Sequence, residues 1–221
     1  MANAIEEVIK QTAKDILTLL NNGALKDKRL ICPKDEKGIL RISEQEFKQL
    51  FIENICKQTD YNYSTETPSY YAYNFSDKKN PKIFAHDKIS KSSPSARVDL
   101  TLYENESRDK KYHIEFKNEQ VSENSIKKDI LKLALEPNET SHFVHIIVRN
   151  DDKLNKNTID TLEEKFSSSY DYAKVAYGNQ FSLQSVIVFI VFVYGKSEAK
   201  ELKIQRAEFS KNSSPIWECV F

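Results

Sequence analysis

Glycine, methionine and tryptophan are nearly missing from this chain, at four, one and one in 221 residues. With only six prolines besides, collagen-like and low-complexity classes are excluded. Cysteine is scarce as well. Cys32, Cys56 and Cys219 are odd in number, far apart and without zinc-ligand spacing, so they read as reduced thiols of a cytoplasmic protein. Charge of one sign is missing: 33 Lys plus Arg balance 33 Asp plus Glu. Bulk charge therefore draws the chain to neither nucleic acid nor membrane, and only local patches remain to be considered. No apolar run reaches the ~20 residues of a membrane-spanning helix. The longest, Ser185 to Gly195, is β-branched and aromatic and reads as a strand buried on both faces. Glu6, Glu7, Lys10 and Lys14 interrupt the start, where a secretory signal would need an apolar core.

What is present is enough to fold. Hydrophobic residues make up 39% of the chain, with 12 Phe and 11 Tyr, which supplies the apolar area disordered chains lack. Ile5, Val8, Ile9, Ile16, Leu19 and Leu20 recur at helical steps, and Asn21-Asn22-Gly23 ends that first helix. Ser43 with Glu46 three residues on is a capping box, opening a helix that buries Phe47, Leu50, Phe51 and Ile55. Residues 61 to 75 are tyrosine-rich and alternate, reading as one or two strands broken near Pro68. Ser76 to Ala96 reads as a mobile, lysine-rich loop. Further on come a helix at 123 to 135, a strand at 142 to 148, a helix around 158 to 174, a strand at 185 to 194 and a last strand holding Leu202 and Ile204. The fold class expected is α/β, a mixed sheet flanked by helices, in a single domain.

The clearest pattern lies between. Val98 to Tyr103 alternates, a polar stretch follows, and Tyr112 to Lys117 alternates again, which makes a β-hairpin. Side chains alternate across a sheet, so Val98, Leu100 and Leu102 share one face and Asp99 and Thr101 the other. In the second strand His113, Glu115 and Lys117 oppose the apolar Tyr112, Ile114 and Phe116. Aligning apolar with apolar makes Asp99 face Glu115 or Lys117. Two carboxylates ~4 Å apart repel by about 4 kcal/mol at an effective dielectric near 20, a cost that a lysine or a divalent cation offsets.

Asp99, fifteen intervening residues and then Glu115-Phe116-Lys117 resemble the PD-(D/E)XK nuclease superfamily, also called restriction-endonuclease-like. The resemblance covers roughly residues 43 to 150, with 1–42 and 151–221 as additions packed on that core. Val98 stands where the motif has its nominal proline. The tripeptide by itself is uninformative, since acid-x-Lys occurs nine times in the chain, but here alone does it end an alternating strand downstream of an Asp-bearing one. The resemblance implies an Mg²⁺- or Mn²⁺-dependent phosphodiesterase acting on nucleic acid, DNA in the first instance. Asp99 and Glu115 would be metal ligands and Lys117 the lysine beside the attacking water. Cutting both strands of a duplex needs two such sites, which a homodimer would supply. The alternative is a non-catalytic binding or assembly module with the same fold, for example in a defence or mobile-element system.

Several residues stand beside this set. Glu44 falls near Phe47 and Phe51 on the inward stripe of its helix and is a candidate fourth catalytic residue, with Glu66 its rival; complementing the helix dipole is the blander reading of Glu44. Lys127, Lys128 and Lys132 ride the third helix as candidate phosphate contacts, with Lys128 and Lys132 read as outward-facing. Lys78, Lys79, Lys82, Lys88, Lys91 and Arg97 make the Ser76 to Ala96 region locally basic. The tyrosines at 61, 63, 70, 71 and 73 read first as packing residues and second as base-stacking ones. His113 shares the polar face and could assist proton transfer.

Overall fold

The computed structural model describes residues 4–25, 30–31, 33, 36, 42–74, 82–84, 95–119, 121–137, 140–151, 153–196 and 199–221. Within them the chain runs α1 (Ala4–Asn22), α2 (Glu44–Gln58), β1 (Asn62–Asn74), β2 (Lys82–Phe84), β3 (Ser95–Tyr103), β4 (Lys110–Asn118), α3 (Glu123–Leu135), β5 (Thr140–Val148), α4 (Lys156–Tyr177), β6 (Val186–Tyr194), β7 (Glu201–Phe209) and β8 (Glu218–Cys219). All the described strands join one sheet in the order β2-β1-β3-β4-β5-β6-β7-β8. Only β4, β5 and β6 are parallel to one another; the remaining neighbours are antiparallel, so the sheet is mixed.

Two apolar layers sandwich the sheet. On one face α1 and α2 bury Ile5, Ile16, Phe47 and Phe51 against Leu100, Ile114, Phe116, Val144 and Phe189. On the other, α3 and α4 bury Ile126, Ile130, Leu133 and Phe166 against Phe143, Val188, Ile190 and Phe192. A helix-covered central sheet needs apolar side chains on both faces, which is why β6 is a continuous run, buried from Val186 to Val193. The capping box forms as expected: Ser43 Oγ accepts from Glu46 N–H, and Glu46 Oε2 accepts from Ser43 N–H. Among the described residues no helix is long and apolar enough to cross a membrane.

Three differences from the sequence reading have local causes. β1 is not broken at Pro68; it runs through, with Glu66 at φ +53° and a register shift against β3 between Pro68 and Ala72. The proline lacks only a donor, and a bulge absorbs that without ending the strand. The Ser76–Ala96 region contributes β2 and the start of β3. Its lysines at 78, 79, 88 and 91 lie outside the described residues. A last short strand, β8, pairs Cys219 with Gln205 and Glu218 with Arg206. Cys56 and Cys219 are exposed free thiols, and Cys32 lies outside the described residues.

Candidate active site

The β3–β4 ladder pairs Leu100 with Ile114, Thr101 with His113 and Leu102 with Tyr112. Asp99 and Glu115 follow at the next position on each strand and point to the α3 side. Here Phe116 N–H donates to Asp99 Oδ2 at 2.9 Å, so a carboxylate takes the amide at the end of the ladder. A hydrogen bond to a charged group contributes about 1.5–3 kcal/mol and fixes the Asp99 carboxylate beside β4.

Glu115, 1% exposed, lies under α3, and Lys132 Nζ meets its Oε1 at 2.5 Å. The same ammonium reaches Asp129 Oδ1 at 2.9 Å and donates to the Arg97 carbonyl at 2.9 Å. Asp129 Oδ2 in turn holds Lys117 Nζ at 3.0 Å. One position further along, His113 Nε2 stands 3.5 Å from Glu136 Oε2, while His113 Nδ1 shares a 2.9 Å hydrogen bond with Thr101 Oγ1. β4 residues 117, 115 and 113 therefore meet Asp129 and Lys132 of α3 and Glu136, its C-cap, in three successive rungs. The spacing follows from geometry, since three or four helical residues advance about as far as two strand residues do.

Charges this deep shift one another. Burial pushes the Glu115 carboxyl well above the ordinary carboxylate range, and Asp129 adds to that while Lys132 opposes it. Burial alone would pull Lys132 down, but the Glu115 and Asp129 carboxylates outweigh it and hold the ammonium above an ordinary lysine. Lys117 is raised in the same way: Asp129, Glu115 and Asp99 together overcome its burial. Burial raises Glu44, with Lys117 opposing and Asp99 adding. Burial lifts Glu136 to about 7, although Tyr70 N–H donates to its Oε1 at 2.7 Å. His113 is pushed down to about 3 by burial, with Lys110 adding, and is neutral at physiological pH.

The expected site residues are thus sorted by position. Asp99, Glu115 and Lys117 come within electrostatic reach of one another at the sheet end where α2 begins, and Glu44 reaches Lys117 and Asp99 there. Glu66 does not join them; it is exposed and pairs with Lys48 at 3.7 Å. Lys132 is a correction. It faces inward, 7% exposed, between Glu115 and Asp129 and not on the outer face of α3. Lys127 lies outside, paired with Glu123 at 2.7 Å and 5.7 Å over the Tyr172 ring, and Lys128 is half-buried. Tyr63 and Tyr70 are exposed at 46% and 49%, whereas Tyr73 is buried, so the tyrosines divide between surface and core.

Asp129, Lys132 and Glu136 do carry a sequence signal. At 100° per residue they fall on the flank of the stripe made by Ile126, Ile130 and Leu133, and Asp129 and Lys132 carry charges complementary to those of Lys117 and Glu115. A second feature has no linear signal. At the carboxyl ends of β4 and β5 a cavity of about 340 Å³ is lined by Arg149, Lys165, Asn157, Thr158 and Glu119 among others. Arg149 and Glu119 approach to 3.7 Å there. Lys117, Lys165 and Arg149 all bear on buried His145, which burial pushes down to about 4 and whose Nε2–H donates to the Glu119 carbonyl at 2.7 Å.

The donor chemistry suits a hard cation. Four carboxylates (Glu44, Asp99, Glu115, Asp129) against two ammoniums (Lys117, Lys132) leave an excess of two negative charges when all are ionised. Mg²⁺ binds through one or two carboxylates, its other positions filled by water and phosphate oxygens, so Asp99 and Glu115 would suffice. Among the described residues, no group of three or more His, Cys, Asp and Glu side chains is arranged to hold a metal.

No family model matches the chain. No curated protein matches it either. Among solved structures it is similar to the crystal structure of the central domain of yeast acetyl-CoA carboxylase, at 10% identity and a TM-score of 0.33. That likeness takes in 96% of this chain but only 34% of the other, and at so low a score it carries no argument about fold or function.

Proposed function

We propose that the chain is a metal-dependent nuclease of the PD-(D/E)XK type, hydrolysing phosphodiester bonds in nucleic acid, with DNA as the first substrate to try. The observation that carries this reading is the joined polar set at one sheet end: Phe116 N–H holds Asp99 Oδ2 at 2.9 Å beside β4, and Asp129 links Lys117, at 3.0 Å, to the Lys132 ammonium that meets Glu115. The element order α2, β1, β3, β4, α3, β5 supports it, with the three-residue β2 as an insertion. Bound Mg²⁺ or Mn²⁺ would supply neutralisation of phosphoryl charge and a more acidic water. Asp99 and Glu115 would hold the ion. Lys117, raised above an ordinary lysine, stays protonated at neutral pH. It therefore does not take a proton; it orients the attacking water and offsets charge building on the phosphoryl group. Arg149 and Lys165, lining the cavity beyond Lys117, would take a neighbouring phosphate of the strand.

The test is Mn²⁺-dependent degradation of plasmid and of single-stranded oligonucleotide. Activity lost in Lys117→Ala and Asp99→Asn, both with wild-type circular dichroism, agrees with the reading. A wild-type protein inactive on DNA and RNA with either ion refutes it. A second reading, a non-catalytic binding or assembly module on this fold, is favoured by one observation: Glu115 already has Lys132 and Lys117 already has Asp129. On that reading nucleic acid or a protein binds, and neither ion changes it.

A further inference from the structure

The environment of Lys132 resembles that of a bound cation more than that of a salt-bridged side chain. An ammonium has three N–H donors and no acceptor. All three are matched: Glu115 Oε1 at 2.5 Å, Asp129 Oδ1 at 2.9 Å and the Arg97 carbonyl at 2.9 Å. Two of the oxygens come from other elements, β4 and β3, and the third from Asp129 one turn back in α3, so the tertiary fold completes the cage. The side chain is 9% exposed, which leaves water little part in the balance. Lysine carries its charge as a compact point on a flexible four-carbon stem, the property that lets an ammonium stand in a metal-like seat and also leave it.

We propose that Lys132 is a resident cation of this site. Its ammonium fills the coordination space at Glu115 Oε1, and a divalent ion gains that oxygen only when Lys132 withdraws onto Asp129 and the Arg97 carbonyl. The inference rests on the metal-dependent reading above and adds to it a competition built into the chain. Two positive centres cannot share one carboxylate oxygen at these distances: at ~3 Å a dication and an ammonium repel by more than 10 kcal/mol even at an effective dielectric near 20. Asp129 provides the alternative seat, because it already touches Lys132 and also holds Lys117. The apparent metal affinity is then the intrinsic affinity reduced by the fraction of molecules in which Lys132 has moved away. With Lys132 on Glu115 for about 99% of the time, that reduction is about 100-fold.

The experiment is calorimetric titration of the full chain with Mn²⁺ and with Mg²⁺, without nucleic acid, for the wild type, Lys132→Met and Lys132→Gln. Lys132→Gln retains a hydrogen-bonding group should the methionine variant fold poorly. Lys127→Met removes the same charge from outside the cage and is the control. The expected result is tenfold or more tighter Mn²⁺ binding in both Lys132 variants, less than about twofold change in Lys127→Met, and loss of the gain when Glu115→Gln is added. In the wild type, the Lys132 side-chain ¹³Cε resonance should move in step with Mg²⁺ saturation. Wild-type binding that is unchanged or weakened in the Lys132 variants overturns the inference and leaves the nuclease reading standing. Binding in the variants but none in the wild type upholds the resident cation, and no binding in any variant overturns it. The plasmid assay decides the nuclease reading separately, because there phosphate oxygens complete the coordination of the ion.

Discussion

The Glu115–Lys132 pair allows a quantitative test of how deep the charged ladder lies. At 2.5 Å the two charges attract by about 7 kcal/mol at an effective dielectric near 20. Several kcal/mol per ion are given back in dehydration, so the pair as a whole adds little to stability, while loss of one partner strands the other. Lys132→Met leaves Glu115, 1% exposed, opposed by the Asp129 carboxylate with no ammonium to offset it there, and should cost about 4–5 kcal/mol at pH 7. Glu115→Gln leaves Lys132 its Asp129 and Arg97 acceptors and should cost about 2–3 kcal/mol. Glu115→Gln combined with Lys132→Met should cost less than the two single changes summed, by at least ~2 kcal/mol. Urea unfolding of the four proteins, followed by circular dichroism, gives the cycle directly. Single changes below about 1 kcal/mol with no coupling would mean that the pair is solvated, as surface ion pairs are, and would refute the buried ladder.

Four further outcomes follow from other residues. Glu136 is raised from 4.5 to about 7, so the stability it contributes is complete below pH 4.5 and is lost as pH rises through 7. Glu136→Gln lacks that fall and should gain about 3 kcal/mol relative to wild type between pH 4 and 8, measured by urea unfolding. His142 runs the other way, pushed from 6.5 down to about 3 by burial, so a His142→Gln protein should lose less stability than wild type as pH drops from 6.5 to 4. In DNA-binding titrations, Arg149→Ala and Lys165→Ala should each flatten the slope of log affinity against log salt by about 0.7–0.9, while Lys153→Ala, outside the cavity lining, leaves it unchanged. Ser43→Ala removes the α2 cap and should cost about 1 kcal/mol in thermal unfolding without altering metal binding.

Much of the architecture was legible because the relevant periods are geometric. A strand repeats every two residues, so the alternation in 98–103 and 112–117 decides that Asp99, Glu115 and Lys117 share a face before any neighbour is known. The Ser43–Glu46 spacing locates the start of α2 for a similarly local reason. The partners of those side chains were not legible in the same way. Lys132 belongs to a residue type that is rarely buried, and a helix wheel places it on the border between the apolar stripe and the charged face. Its inward turn is decided by Glu115 on another element, which periodicity within α3 does not contain. The Arg149–Lys165 cavity exists only because the ends of β4 and β5 and the start of α4 meet in space. Pro68 misled for the opposite reason, since the β1–β3 pairing tolerates one irregular stretch that a propensity scale treats as a stop.

The three rungs between β4 and α3 also act as a lock on the helix. If α3 slid by one turn toward its own N-terminus, Lys132 would arrive over Lys117 and Glu136 over Glu115; a slide the other way would set Asp129 on Glu115 and Lys132 on His113. Either misfit brings like charges together in a place water hardly enters, at several kcal/mol per clash. An apolar helix face would tolerate such sliding far better. One residue inserted within α3 between Asp129 and Lys132 turns these two by about 100° relative to each other, so the contact with Lys117 and the contact with Glu115 can no longer form together.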